Sequence, residues 1–241
     1  MSRTQVQRLG ERLAAGSEDD ADRQALEELI ACHLAIIEVA RPRVDNLSEL
    51  ISTGSLHISH RAKTTTTIIE KLQRESGMSL ARMQDLAGIR IVGGITEAEQ
   101  DSLAAEIVRR FPPAPRVARI VDRRAQPRYG YRAVHVVVCL DGISIEIQVR
   151  TLVQHMWADC MERIADRLGR DIRYGDPPSR LPEGMSKESA EELVAGMMHL
   201  SGRLAERMAD RAGPVDVAAR LDEYAAMIWN EIADLFESAG S

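Results

Sequence analysis

"ISIEIQVRT", residues 143 to 151, alternates without a break: Ile143, Ile145, Ile147 and Val149 fall on one side, and Ser144, Glu146, Gln148 and Arg150 on the other. Strict period-two alternation predicts a strand with one face on a core. The polar face is the question. Glutamate is depleted in strands, and a face turned to water more commonly carries Thr. A Glu-Gln-Arg row is therefore either solvent dressing or the floor of a site.

The neighbouring sequence builds a sheet around this strand. Asp141-Gly142 is a strong two-residue hairpin signal and joins it to "AVHVVVCL" (133–140). "LAGIRIV" (86–92) and "RVARIVD" (116–122) read as two more strands. Between and around them run helices. Residues 20–40 have helical spacing, Pro42 opens a short helix ending near Gly54, and 64–75 is another. Thr96 with Glu99 makes a capping box for a helix to about Phe111, stopped by "PPAP". A helix from about Thr151 presents Val153, Trp157, Cys160, Ile164 and Leu168 on one face and ends at Gly169. After the Pro/Gly-rich "YGDPPSRLPEG" come two long amphipathic helices, about 186–211 and 215–237, punctuated by Gly213-Pro214. Their stripes include Val194, Met197, Leu204, Met208, Leu221, Ile228, Ile232 and Leu235. This order gives an α+β core flanked by helices at both ends.

Length and composition set outer limits. A chain of 241 residues with 44% hydrophobic and 28% charged residues supports a sizeable core and excludes wholesale disorder. No apolar run approaches ~18 residues, and the first twenty residues have no apolar core, so neither a spanning helix nor a leader is expected, and a cytoplasmic location is. Cys32, Cys139 and Cys160 are too scattered for a disulfide framework or zinc cluster and read as reduced core residues.

The net charge of -6 is unevenly placed. Residues 61–90 hold six basic side chains against three acidic ones, and 116–132 hold six arginines against Asp122 alone. Concentrating cations in two short segments of an acidic chain points to a local site for something anionic.

Four stretches carry candidate chemistry. At ~100° per residue, Lys63, Thr67, Lys71 and Arg74 share a helical face opposite Ile68, Ile69 and Leu72. Arg90 alternates inside an otherwise apolar strand, where an unpaired charge is costly, so a partner is required. In "PRYGYRAVH", Gly130 between tyrosines marks unusual backbone or close approach, with Tyr131, Arg132 and His135 following; a tyrosine ring can stack on a nucleobase. Asp85 and Glu146 supply two hard carboxylates suited to Mg²⁺. Carboxylate, metal and lysine together are the apparatus of phosphoryl transfer. No GxxxxGK[ST] occurs, which excludes a P-loop site; HExxH and paired CxxC are absent too. His155, Asp159 and Glu162 on one helix read as surface or supporting residues.

Taken in order, "RAK", Lys71, "DLAGIR", "GYRAVH", "EIQVRT" and "HMWAD" resemble the synthetase domain of RelA/SpoT-type alarmone synthetases over about residues 40–175. With only some 60 residues before "RAK", the chain resembles the small, stand-alone synthetases. The resemblance implies a nucleotidyltransferase-like mixed sheet at 56–175, an N-terminal helical segment at 1–55, and C-terminal helices at 176–241. It also implies Mg²⁺-dependent transfer of pyrophosphate from ATP to the 3′-hydroxyl of GTP or GDP, giving (p)ppGpp and AMP.

By the same resemblance, Asp85 and Glu146 bind the metal, and Glu146 also activates the acceptor hydroxyl. Lys71 acts with them as a catalytic residue. Arg61 and Arg90 sandwich the donor adenine, while Lys63 and Lys71 contact the donor phosphates. Tyr131 stacks on the acceptor guanine, with Arg128, His135 and Gln148 on the same side. Arg128 stands where lysine is usual, Tyr129 where a small polar residue is, and Ala133 where serine is; all three lie on the acceptor side. Small synthetases also imply a homo-oligomer, a tetramer built through C-terminal helices. Two other readings share these residues: pyrophosphorylation of the tRNA 3′ end, and nucleotide binding without turnover.

Overall fold

The computed structural model describes residues 1–51, 56–75, 77–111 and 117–209, with residues 226 and 230. Helices α1 (Arg3–Ala15) and α2 (Asp20–Ala40) precede β1 (Leu56–Ala62), α3 (Thr65–Arg74) and β2 (Ala87–Gly93). Next come α4 (Glu97–Arg110), β3 (Arg119–Asp122), β4 (Val134–Leu140), β5 (Ile143–Thr151), α5 (Leu152–Leu168) and α6 (Lys187–Ala209).

The strands form a five-stranded mixed sheet in the order β1-β2-β5-β4-β3, in which only β2 and β5 run parallel. The β4–β5 hairpin turns at Asp141 and Gly142, both with positive φ (50° and 81°), as a tight primed turn requires. Ile145, Ile147 and Val149 are fully buried and meet Ile89, Ile91, Val134 and Val136 in the core. That side is roofed by Ile37 and Ala40 of α2 and by Leu103, Ala104 and Ile107 of α4. The alternation of "ISIEIQVRT" thus divides a dry face from a polar one.

Caps fix where the helices begin. Thr96 and Glu99 form the expected capping box, and Thr151 forms a second with Gln154, so β5 passes directly into α5. α5 packs on α6 through Trp157, Met161, Leu193, Met197 and Leu204, and Trp157 Nε1 donates to the carbonyl of Met197 at 2.7 Å. The α6 stripe is therefore filled within the chain. The helix expected at 215–237, with its Leu221, Ile228, Ile232 and Leu235, lies outside the described residues, as do "PPAP" and Gly54.

Some expectations are corrected. Helix α1 has only Val6, Leu9 and Leu13 as its apolar stripe, and these bury against α3 and residues 80–86. Strand β1, "LHISHRA", is an edge strand whose polar residues hide its alternation. The segment after Pro42 forms two short 3-10 turns, Arg41–Arg43 and Asp45–Leu50. Lys63 precedes α3, because Thr64 caps the helix and the Lys63 N–H donates to the carbonyl of Leu86. Cys32 is exposed on α2, whereas Cys139 is buried.

Candidate active site

Strand register assembles the polar face. Arg61, Gly88 and Glu146 sit side by side across β1, β2 and β5. One pleat along, Ser59, Arg90, Gln148 and His135 form a row across four strands. A Cβ on Gly88 would come within 2.6 Å of the Glu146 carbonyl oxygen, so only glycine allows this close approach and leaves the floor open between Arg61 and Glu146. Over it lies a cleft of about 460 Å³ lined by all ten residues singled out in the sequence: Arg61, Lys63, Lys71, Asp85, Arg90, Arg128, Tyr131, His135, Glu146 and Gln148. A wider hollow of about 930 Å³ along α3 and α5 adjoins it, sharing Arg61, Lys63, Lys71, Glu162 and Tyr174.

Asp85 sits between two ammonium groups. Lys63 Nζ is 2.5 Å from Oδ2, and Lys71 Nζ is 3.1 Å from the same oxygen and 3.3 Å from Oδ1. Burial alone would raise the Asp85 pKa, but the two lysines outweigh it and hold the carboxyl below its usual range. Lys63 shifts down, mainly by desolvation, with the Lys71 charge adding to that. Lys71 shifts up, because Asp85 overcomes its burial.

Glu146 has both oxygens engaged. His135 Nδ1 lies 2.7 Å from Oε1, and Gln148 Nε2 donates to Oε2 at 2.9 Å. Burial pushes its pKa up, yet these hydrogen bonds bring it below the ordinary value, while the Asp85 charge opposes them. The two carboxylates, far apart in the chain, therefore stand in one cleft, ionised and within electrostatic reach. Among the described residues no group of three or more His, Cys, Asp or Glu is placed to hold a metal. Two ionised carboxylates beside two lysines are hard oxygen donors of the kind Mg²⁺ accepts, and with only two of them such an ion would need its remaining ligands from elsewhere.

Arg90 has no ion-pair partner among the described residues, and its Nε is buried without a hydrogen bond. Desolvation lowers its pKa, and the charges of Arg150 and Arg61 lower it further. Among the described residues no carboxylate forms an ion pair with this strand arginine; Glu162 acts on it only at longer range.

Tyr131 follows a tight turn. Its N–H donates to the Arg128 carbonyl at 2.9 Å, and Tyr129 and Gly130 both have positive φ (49° and 81°). A Cβ at Gly130 would lie 2.7 Å from Trp157. The Tyr129 ring lies directly over Gly175, where an added Cβ would be 2.1 Å from Cε1. Arg123 and Tyr174 also line the cleft, although the sequence did not single them out. Arg123 lay within an arginine-rich run that offered no way to choose among its members. Tyr174, 4.0 Å below the Arg74 guanidinium, carried no motif. Arg150 was visible as a member of the polar row.

Comparison with known proteins matches this geometry to a family. Residues 60–165 fit the family model for the region found in RelA / SpoT proteins. The chain is also 36% identical over 212 residues to the uncharacterized protein Rv1366 of Mycobacterium tuberculosis, covering 87% of this chain and 75% of that one. The chain belongs to the RelA/SpoT family. Within this family it is 29% identical over 157 residues to the GTP pyrophosphokinase YjbM of Bacillus subtilis, covering 56% of this chain and 72% of the relative. The chain has the fold of the small alarmone synthetase 2 of Bacillus subtilis at a TM-score of 0.50 and 20% identity, covering 78% of this chain and 95% of that structure.

Among the described residues no helix is long and apolar enough to cross a membrane.

Proposed function

We propose that this RelA/SpoT family member transfers the β,γ-pyrophosphate of ATP to the 3′-hydroxyl of GTP or GDP. The observation that carries this reading is Asp85, flanked by Lys63 and Lys71, sharing one cleft with Glu146. The named relative, a GTP pyrophosphokinase, supports the same reaction class.

In this reading Arg61 and Arg90, on one sheet face beside Gly88, take the two sides of the adenine, where each guanidinium contributes cation–π energy. Lys63 and Lys71 bind the donor phosphates. Tyr131 stacks on the guanine, while Arg128, His135 and Gln148 border the acceptor. The acceptor 3′-oxygen bonds to the β-phosphorus and passes its proton to Glu146; the bond from the β-phosphorus to the bridging oxygen breaks, and that oxygen leaves with AMP. His135 and Gln148 hold Glu146 ionised and oriented for this. Asp85 and Glu146 would hold Mg²⁺, which offsets charge on the phosphates. Positioning and charge compensation carry the catalysis, as is general for phosphoryl transfer.

Incubating the purified protein with ATP, Mg²⁺ and either GDP, GTP or tRNA tests the assignment directly. AMP together with a pyrophosphorylated guanosine nucleotide is expected. Label moving from ATP into tRNA would replace the acceptor, and tight nucleotide binding with no AMP would reduce the protein to a binding module. In the arginine-rich segment Arg124 is held by Asp101 and Asp122, Arg119 by Gln84, and Arg132 by Ser201 and the Arg124 carbonyl, whereas Arg123 and Arg128 line the cleft.

A further inference from the structure

We propose that Arg150 is a positioning residue for the acceptor, holding the ring of Tyr131 and the amide of Gln148 in the geometry that receives the base. The inference rests on the acceptor-side reading of Tyr131 and Gln148 above, and concerns a residue to which that reading gives no role.

Arg150 is only 4% exposed, yet it has no carboxylate partner among the described residues. Such a group is costly to bury and persists only where its surroundings hold it. Its contacts are specific. One nitrogen, Nη2, donates to the Tyr131 hydroxyl at 3.0 Å and to Gln148 Oε1 at 3.0 Å, and the guanidinium carbon lies 5.1 Å from the centre of the Tyr131 ring. The Tyr131 hydroxyl also meets His135 Nε2 at 2.9 Å, with the two rings edge to face. The donation from Arg150 leaves that hydroxyl free to donate to His135, whose other nitrogen reaches Glu146. Gln148 is oriented at the same time: its oxygen accepts from Arg150, so its nitrogen points to Glu146.

One buried cation thus fixes the Tyr131 ring, which way round the Gln148 amide faces and, through His135, one oxygen of Glu146. A guanidinium suits this, since one of its nitrogens reaches both a phenol and an amide while the flat, delocalised cation lies near a ring. An ammonium keeps the charge and loses that shape. The hydrogen bonds of Arg150 go to Tyr131 and Gln148 and none reaches the lysine pair at Asp85; on the donor side its charge only repels Arg90, so its loss should fall on GDP and at most relieve that repulsion for ATP.

The test compares the parent protein with Arg150→Lys and Arg150→Met, each confirmed as folded by circular dichroism and thermal melting, and measures KM for GDP and for ATP separately. A rise of about tenfold to a hundredfold in the GDP KM is expected in both variants, from losing charge-assisted hydrogen bonds, with the ATP KM within about twofold of the parent. In a double-mutant cycle, Tyr131→Phe should cost clearly less in the Arg150→Met background than alone. Calorimetric titration with GDP supplies a readout independent of turnover, and loss of affinity in both variants is the expected result. Folded variants with parental GDP affinity, or with both KM values raised equally, would overturn the role of Arg150. A parent protein that binds GDP but forms no product would instead overturn the proposed reaction, leaving the titration to decide on Arg150. Should Arg150→Met fail to fold, Arg150→Lys alone decides, because parental GDP affinity there would show that charge suffices and geometry does not matter.

Discussion

His135 on β4 stands 2.7 Å from Glu146 on β5, Nδ1 to Oε1, so the carboxylate nearest the acceptor side is held by an imidazole that is itself held by the Tyr131 hydroxyl. Replacing Glu146 with Gln keeps the size and removes the negative charge. A loss on the order of 10²–10³ in kcat is expected, with ATP binding retained; single-turnover kinetics beside ATP calorimetry checks both halves.

Asp85→Asn should abolish product formation and also destabilise the chain by about 1–3 kcal/mol, because Lys63 and Lys71 then face each other without their shared counter-charge. Denaturant titration at neutral pH measures this.

The acid limb of stability follows from Asp85 and Glu146, both of whose pKa values are lowered by folding. A carboxyl with a depressed folded pKa contributes stability that is complete above its unfolded value and is lost as pH falls through the folded one. Stability should therefore fall on acidification below the ordinary carboxylate range, and Asp85→Asn should flatten that fall. Denaturation midpoints over a pH series provide the measurement, and an unchanged slope in the variant would contradict it.

Arg90→Ala should separate binding from stability. Among the described residues the side chain has no ion pair; Arg150 and Arg61 repel it more than Glu162 attracts it, so its loss should leave the melting temperature unchanged or higher. ATP affinity should drop about tenfold, the worth of a partly desolvated cation–π contact. A large drop in melting temperature would show that Arg90 serves the fold.

Light scattering addresses assembly. A homo-oligomer, by the family resemblance a tetramer, is expected; a mass of 26.7 kDa would mean a monomer.

The sheet's central strands were legible because burial on one face imposes alternation, and "ISIEIQVRT" obeys it throughout. Capping chemistry made the starts of α4 and α5 equally readable. Edge strand β1 was not, since an edge tolerates His57, His60 and Arg61 and so dilutes the pattern. Helix α1 escaped for a related reason: three apolar residues suffice when a neighbouring helix completes the burial. In the site, motif order picked out residues that line one cleft, but not how they pair. Lys63 was assigned to the α3 face, whereas it reaches Asp85 from the end of β1. Arg150 was visible as the last member of the polar row, but that it is buried with no carboxylate partner among the described residues is seen only in three dimensions.

The Tyr129 ring resting on Gly175 has a consequence for how the protein tolerates change. It ties a tight turn between β3 and β4 to a stretch that follows α5 by only a few residues, so the two share one fate although 46 positions apart in the chain. Any bulk added at 175 must push a tyrosine already in left-handed backbone, and Tyr131 lies two residues further on. Position 175 thereby becomes a remote handle on the turn that carries Tyr131, reached through the Tyr129 ring and not through the cleft floor.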